Sequence, residues 1–102
     1  MKATIEVQKI ACVNNAGLVM SFKAMTEGAV SEPTVNYPIN QTRIIDLAST
    51  PFREGLELWP EVSAVLGKTE QADQHIVFKL NGQTATYDVS GTTLSYSIRL
   101  IG

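Results

Sequence analysis

Residues 74–89 read Gln74-His75-Ile76-Val77-Phe78-Lys79-Leu80-Asn81-Gly82-Gln83-Thr84-Ala85-Thr86-Tyr87-Asp88-Val89, and this stretch decides the fold class. Ile76, Phe78 and Leu80 alternate with His75, Val77 and Lys79, and Ala85, Tyr87 and Val89 resume the same period of two. An extended backbone sends successive side chains to opposite faces, so this period marks strands with one dry side. Asn81-Gly82 supplies two residues that readily take the positive φ of a tight hairpin turn. A two-residue loop there places Leu80 opposite Gln83, Phe78 opposite Ala85 and Ile76 opposite Tyr87, with both apolar sets on one face.

Working outward, Ser90-Gly91-Thr92-Thr93 reads as the next tight loop, and Leu94, Tyr96, Ile98 and Leu100 continue the alternation. Folding 89 onto 94 predicts a three-stranded meander that pairs Tyr87 with Tyr96 and Ala85 with Ile98. On its wet face His75 lies opposite Asp88, and Asp88 opposite Ser95. A serine hydrolase needs the imidazole between hydroxyl and carboxylate, and here the carboxylate takes the middle place. The trio therefore reads as a polar ligand-binding face, not a catalytic triad.

Leu56, Leu58, Pro60, Val62, Ala64 and Leu66 share one phase, with Glu57, Trp59, Glu61 and Ser63 on the other. Because proline cannot donate to a ladder, Pro60 points to an edge strand, a bulge or an amide without a neighbour. Ser49-Thr50-Pro51-Phe52-Arg53-Glu54-Gly55 offers a capping hydroxyl, a proline for a first helical position and a glycine stop, so at most one helical turn is expected near 50–55. Ile5 and Val7 differ in phase from Ile10 and Cys12, which predicts a bulge near Gln8 and Lys9 within an edge strand over Met1–Val13. Asn14-Asn15-Ala16-Gly17 reads as a hairpin turn into Leu18, Met20 and Phe22. Residues 26–34 read as a loop, and 35–39 and 43–47 as two short strands, the first weakened by Pro38. The expectation is one all-β domain over 1–102, an antiparallel two-sheet β-sandwich of immunoglobulin-like or jelly-roll-like type with about seven or eight strands.

Composition narrows the function. A formal net charge of -2 with no basic stripe argues against nucleic acid as a partner. Glu6 interrupts any apolar run that could serve as a signal-peptide core, and apolar runs fall far short of the ~20 residues a spanning helix needs. A cytoplasmic protein, or one secreted without a classical signal peptide, is expected, and a membrane partner is not. One His and one Cys cannot build the usual zinc sites, and no glycine-rich phosphate loop occurs, so no metal and no cofactor is expected. Cys12 reads as a small buried hydrophobe.

Trp59 carries most information. An outward indole flanked by Glu57 and Glu61 would suit stacking on the C–H face of a sugar while the carboxylates take hydroxyl protons. Large aromatics also anchor packing and interfaces, which is the plainer role for such a residue. Tyr37, beside Asn36 and Asn40 in a polar loop, is a second candidate for ligand contacts, as is the set of His75 and Asp88. The layout is broadly similar to small β-sandwich lectins and to membrane-targeting β-sandwich toxins. The expected function is a non-enzymatic, lectin-like protein that binds carbohydrate as a homo-oligomer. The alternatives are a module that self-associates through edge strands and a membrane-directed toxin or defence protein.

Overall fold

The alternation over residues 57–64 carries directly into burial: Leu58, Pro60, Val62 and Ala64 point inward, while Glu57, Trp59, Glu61 and Ser63 point out. The structure, a computed structural model, describes residues 5–102. The part of the expected first strand before Ile5 lies outside the described residues. Ten strands follow in order: β1 (Glu6–Val7), β2 (Lys9–Gly17), β3 (Met20–Thr26), β4 (Ala29–Val30), β5 (Gln41–Asp46), β6 (Glu57–Ala64), β7 (Thr69–Gln71), β8 (Ile76–Phe78), β9 (Thr84–Thr92) and β10 (Ser95–Leu100). One sheet runs β1-β8-β6-β3-β4 with β7 also on β6, and the other runs β10-β9-β2-β5. Their inner faces meet in a core that includes Ile10, Cys12, Phe22, Leu58, Val62 and Tyr87.

The fold is an all-β sandwich as expected, but its sheets are mixed and not purely antiparallel. Ten strands stand among the described residues where seven or eight were expected, because short segments such as β1, β4 and β7 add to the sheets. β1 pairs with β8 and β2 with β9 in parallel. The expected hairpin across Asn81-Gly82 does not form. β8 stays with β1 and β6, while β9 lies in the opposite sheet. Gly82 does take a positive φ of 73°, yet it bends the chain between layers and not back along one sheet. Two segments make this crossing side by side. β1 passes into β2 through Gln8 just where β8 passes into β9, and the Gln8 and Lys9 amides both donate to the Gln83 carbonyl at 2.9 and 3.0 Å. The phase break at Gln8 is thus a strand changing sheets. The expected hairpin at 14–17 is likewise a corner, since β2 and β3 belong to different sheets.

Other boundaries shift for local reasons. β9 and β10 do form a hairpin, but it slides by four residues, so Tyr87 pairs with Leu100 and Tyr96 with Gly91. An even slide keeps the same side chains inside. Gly91 is required there: at φ 125° a Cβ would sit 2.4 Å from the Ser95 carbonyl oxygen. β6 is central, not an edge. The Pro60 carbonyl accepts from the Ala72 amide at 3.0 Å, so the proline nitrogen faces the same side, at the seam between the end of β7 and the start of β8. Residues 26–34 contain the short hairpin strand β4, whereas 35–39 supply a single bridge, Tyr37 with Met20. The helical turn is a 3-10 turn at Leu47–Ser49, capped by the Asp46 side chain, which accepts from the Ala48 amide.

Polar side chains tie the layers together. The Tyr96 hydroxyl reaches from β10 to the Val62 and Lys68 carbonyls at 3.0 and 2.6 Å. The Tyr87 hydroxyl reaches the Gln74 carbonyl at 2.6 Å, and that of Tyr37 the Cys12 carbonyl at 2.8 Å. Fully buried Asn14 donates to the Leu18 and Tyr37 carbonyls and accepts from the Ala16 amide. Each bond gives a buried polar side chain a partner and pins it to the backbone.

Burial pushes the Tyr37 and Tyr87 phenols and the Cys12 thiol well above their ordinary values. Burial, reinforced by the Glu70 carboxylate, pushes Tyr96 up to about 12. The unfolded chain releases these protons near their ordinary values, about 9 to 10, where the native state still holds them. Stability contributed by these groups is therefore full below about pH 9 and is lost as pH rises through the folded values. A urea midpoint that is level from pH 7 to 9 and falls above pH 10 is expected, with a shallower fall in Tyr37→Phe. A midpoint that stays level to pH 12 would contradict the sealed phenols.

Candidate functional site

On the outer face of the larger sheet, the β6–β8 register pairs Glu57 with Val77 and Leu58 with Ile76. Continued by one residue, it sets His75 beside Trp59. Their rings stack with centroids 4.1 Å apart and planes 18° from parallel. His75 Nδ1 lies 2.6 Å from Glu57 Oε2, close enough for the ring N–H to donate to the carboxylate and orient the imidazole. The indole N–H donates to Gln71 Oε1 at 2.9 Å, and Gln71 Nε2 donates to Glu61 Oε2 at 3.1 Å. Glu61 in turn pairs with Lys23 at 3.2 Å. A continuous polar and aromatic row thus crosses β3, β6, β7 and β8.

The row borders a hollow of about 680 Å³. Trp59, His75 and Glu57 form one wall. Phe52, Arg53 and Leu56, from the segment between the 3-10 turn and β6, form another, and the β3–β4 hairpin closes the third with Glu27 and Val30. The Thr26 hydroxyl donates to the Glu57 carbonyl at 2.8 Å, which holds that hairpin against β6. An apolar floor with a few polar groups at its rim is the usual make-up of a small-ligand site. Here the polar residues are Thr26, Glu27, Arg53, Glu57 and His75.

The structure separates the other sequence candidates from this hollow. Asp88 lies in the opposite sheet, between Val13 and Arg99, and the Asn15 side-chain amide donates to it. The predicted opposition of His75, Asp88 and Ser95 is therefore absent: β8 and β9 never pair, and the slide of the β9–β10 hairpin sets Asp88 opposite Arg99 and Ser95 opposite Thr92. Tyr37 is fully buried, with its hydroxyl on the Cys12 carbonyl. Its ring supports the core, with the Arg43 guanidinium 5.0 Å from its centre. Asn36 and Asn40 are exposed, and Asn40 takes a positive φ of 71° as its amide donates to the Asn14 carbonyl. Glu61 belongs to the row without lining the hollow. Sequence reasoning missed Phe52, Arg53, Glu27 and Gln71. An aromatic next to an arginine in a turn-rich segment was the available signal for the first two.

No protein-family model matches the sequence, and no match was found among curated proteins. Solved structures of pneumolysin share the fold. One, at 1.98 Å resolution, superposes with a TM-score of 0.51, and a second, of the wild type, with 0.52. Each is 12% identical and matches 91% of this chain. The chain spans 23% and 22% of the respective pneumolysin chains. At this identity the likeness is one of fold.

Because Trp59 is the sole tryptophan, its emission reports on the stack. His75→Ala is expected to red-shift that emission and to lower unfolding stability by about 0.5–1.5 kcal/mol, the range for an aromatic pair. His75→Phe should restore both. Unchanged emission in the alanine variant would place the rings apart.

Proposed function

We propose that this protein is a non-enzymatic binding module that takes up carbohydrate in the hollow beside Trp59. The observation that carries the reading is the half-buried Trp59–His75 stack set beside Glu57, Glu27 and Arg53. An aromatic wall accepts the apolar C–H face of a pyranose, while carboxylates accept and a guanidinium donates hydrogen bonds at its hydroxyls. Because His75 and Gln71 already hold the indole, little side-chain freedom is lost on binding, which favours affinity. Single-sugar affinities are weak, and self-association would multiply them through linked sites. A glycan array followed by tryptophan-fluorescence titration tests the reading. Trp59→Ala should weaken the bound glycan by about tenfold or more, equivalent to ~1.4 kcal/mol. Silence of both assays across neutral and charged glycans would remove it.

A different observation favours a second reading, attachment to a lipid surface. At the end of the sandwich where β2, β6 and β9 finish, Leu66 is 97% and Leu94 78% exposed, with Val65 and Val19 beside them. The turns adjoin: the Val65 amide donates to the Val19 carbonyl at 2.8 Å, and a Cβ on Gly67 would lie 2.5 Å from the Thr93 methyl. Apolar side chains gathered on adjoining turns are suited to the headgroup boundary of a bilayer. Co-sedimentation with phosphatidylcholine vesicles is expected, and Leu66→Asp with Leu94→Asp should abolish it without moving the urea midpoint. Wild-type protein left wholly in the supernatant would end this reading.

A further inference from the structure

We infer that the carbohydrate taken by this protein is an uncharged, linear oligosaccharide lying across two joined hollows, not a single terminal sugar. This rests on the sugar-binding reading and adds the ligand's length and charge. A second hollow of about 400 Å³ opens between the segment after β4 on one side and the end of β5 with Ser49, Thr50 and Pro51 on the other. Val30 and Pro51 line both hollows, so the two adjoin, and a ligand that spans these residues would occupy both as one groove. That groove runs from the outer face of the larger sheet, past β4, to β5, so it crosses the open side of the sandwich between the lateral strands of its two sheets. Each hollow alone has the capacity of a small-ligand site. Two such sites end to end fit a chain of sugars better than one ring.

The chemistry of the second hollow continues that of the first. Ile44, 57% exposed, offers an apolar surface. Thr34 Oγ1 accepts from the Phe22 amide at 3.1 Å, which leaves its hydroxyl proton to donate. The Glu32 carboxylate has no hydrogen-bond or ion-pair partner among the described residues. Asp46 uses one carboxylate oxygen for Gln8 and Ala48, which leaves the other to accept. Among the described residues the two linings hold the acids Glu27, Glu57, Glu32 and Asp46 and one guanidinium, Arg53. Such a lining repels sulfates, phosphates and uronates and suits hydroxyls that donate to carboxylates.

Calorimetric titration of the full chain with cello-, malto- and chito-oligosaccharides of one to six residues, against oligouronates of the same lengths, tests this. In the series that binds, affinity should rise about tenfold or more between two and four residues, then level off, with oligouronates weaker at every length. Ile44→Arg should remove the rise with length, whereas Trp59→Ala should weaken every length, disaccharides included. Because Ile44 is exposed, a urea midpoint like that of the wild type is expected for the variant. A monosaccharide bound as tightly as a hexasaccharide, a rise that survives Ile44→Arg, or tighter binding of oligouronates would overturn the inference while leaving sugar binding in place. Failure of every saccharide, charged or neutral, would overturn both.

Discussion

The Gln83 carbonyl, accepting the amides of both Gln8 and Lys9, holds the point on which the architecture turns. Here two neighbouring segments leave one sheet together and enter the other. A strand that changes layers must expose or re-pair its backbone groups, and an unpaired buried amide is costly. Two strands that cross side by side pair with each other through the transition. Parallel pairing before the crossing, β1 with β8, continues as parallel pairing after it, β2 with β9. The turn at Asn81-Gly82 is anchored into the same junction. The Asn81 side chain donates to the Glu6 carbonyl, and Gln8 Oε1 accepts from the Gly82 amide, both at 3.0 Å.

Between the layers, apolar packing is fixed in register by a few polar contacts. Tyr37, Tyr87 and Tyr96 each fill core volume and end on a backbone carbonyl, so aromatic burial and carbonyl satisfaction come from the same side chain. Asn14 does the corresponding work at the corner between β2 and β3. These contacts discriminate among packings that apolar side chains alone would tolerate.

The candidate site depends on this frame at second hand. Trp59 and His75 stack because β8 stays beside β6 instead of folding back on β9, and the hollow exists because the segment from 50 to 56 and the β3–β4 hairpin flank the same outer face. The outward phase of Glu57, Trp59 and Glu61 was legible in the alternation. The partner of Trp59 was not, since it depends on which strand neighbours β6. The same error that joined β8 to β9 set His75 against Asp88 and concealed its place beside the indole.

Side-chain phase is a local property of extended backbone, and residues 57–64, 76–78, 84–92 and 95–100 displayed in sequence the faces they present in the fold. The all-β class, the strand at Trp59, the turn-forming Gly82 and the break at Gln8 all follow from neighbours a few residues apart. Pairing is different. The parallel partners β1 with β8 and β2 with β9 are distant in the chain, and nothing in a period of two tells a hairpin from a crossing between layers. Tertiary structure alone decided it, because pairing depends on which distant backbone amides and carbonyls meet, and side-chain phase carries no record of that.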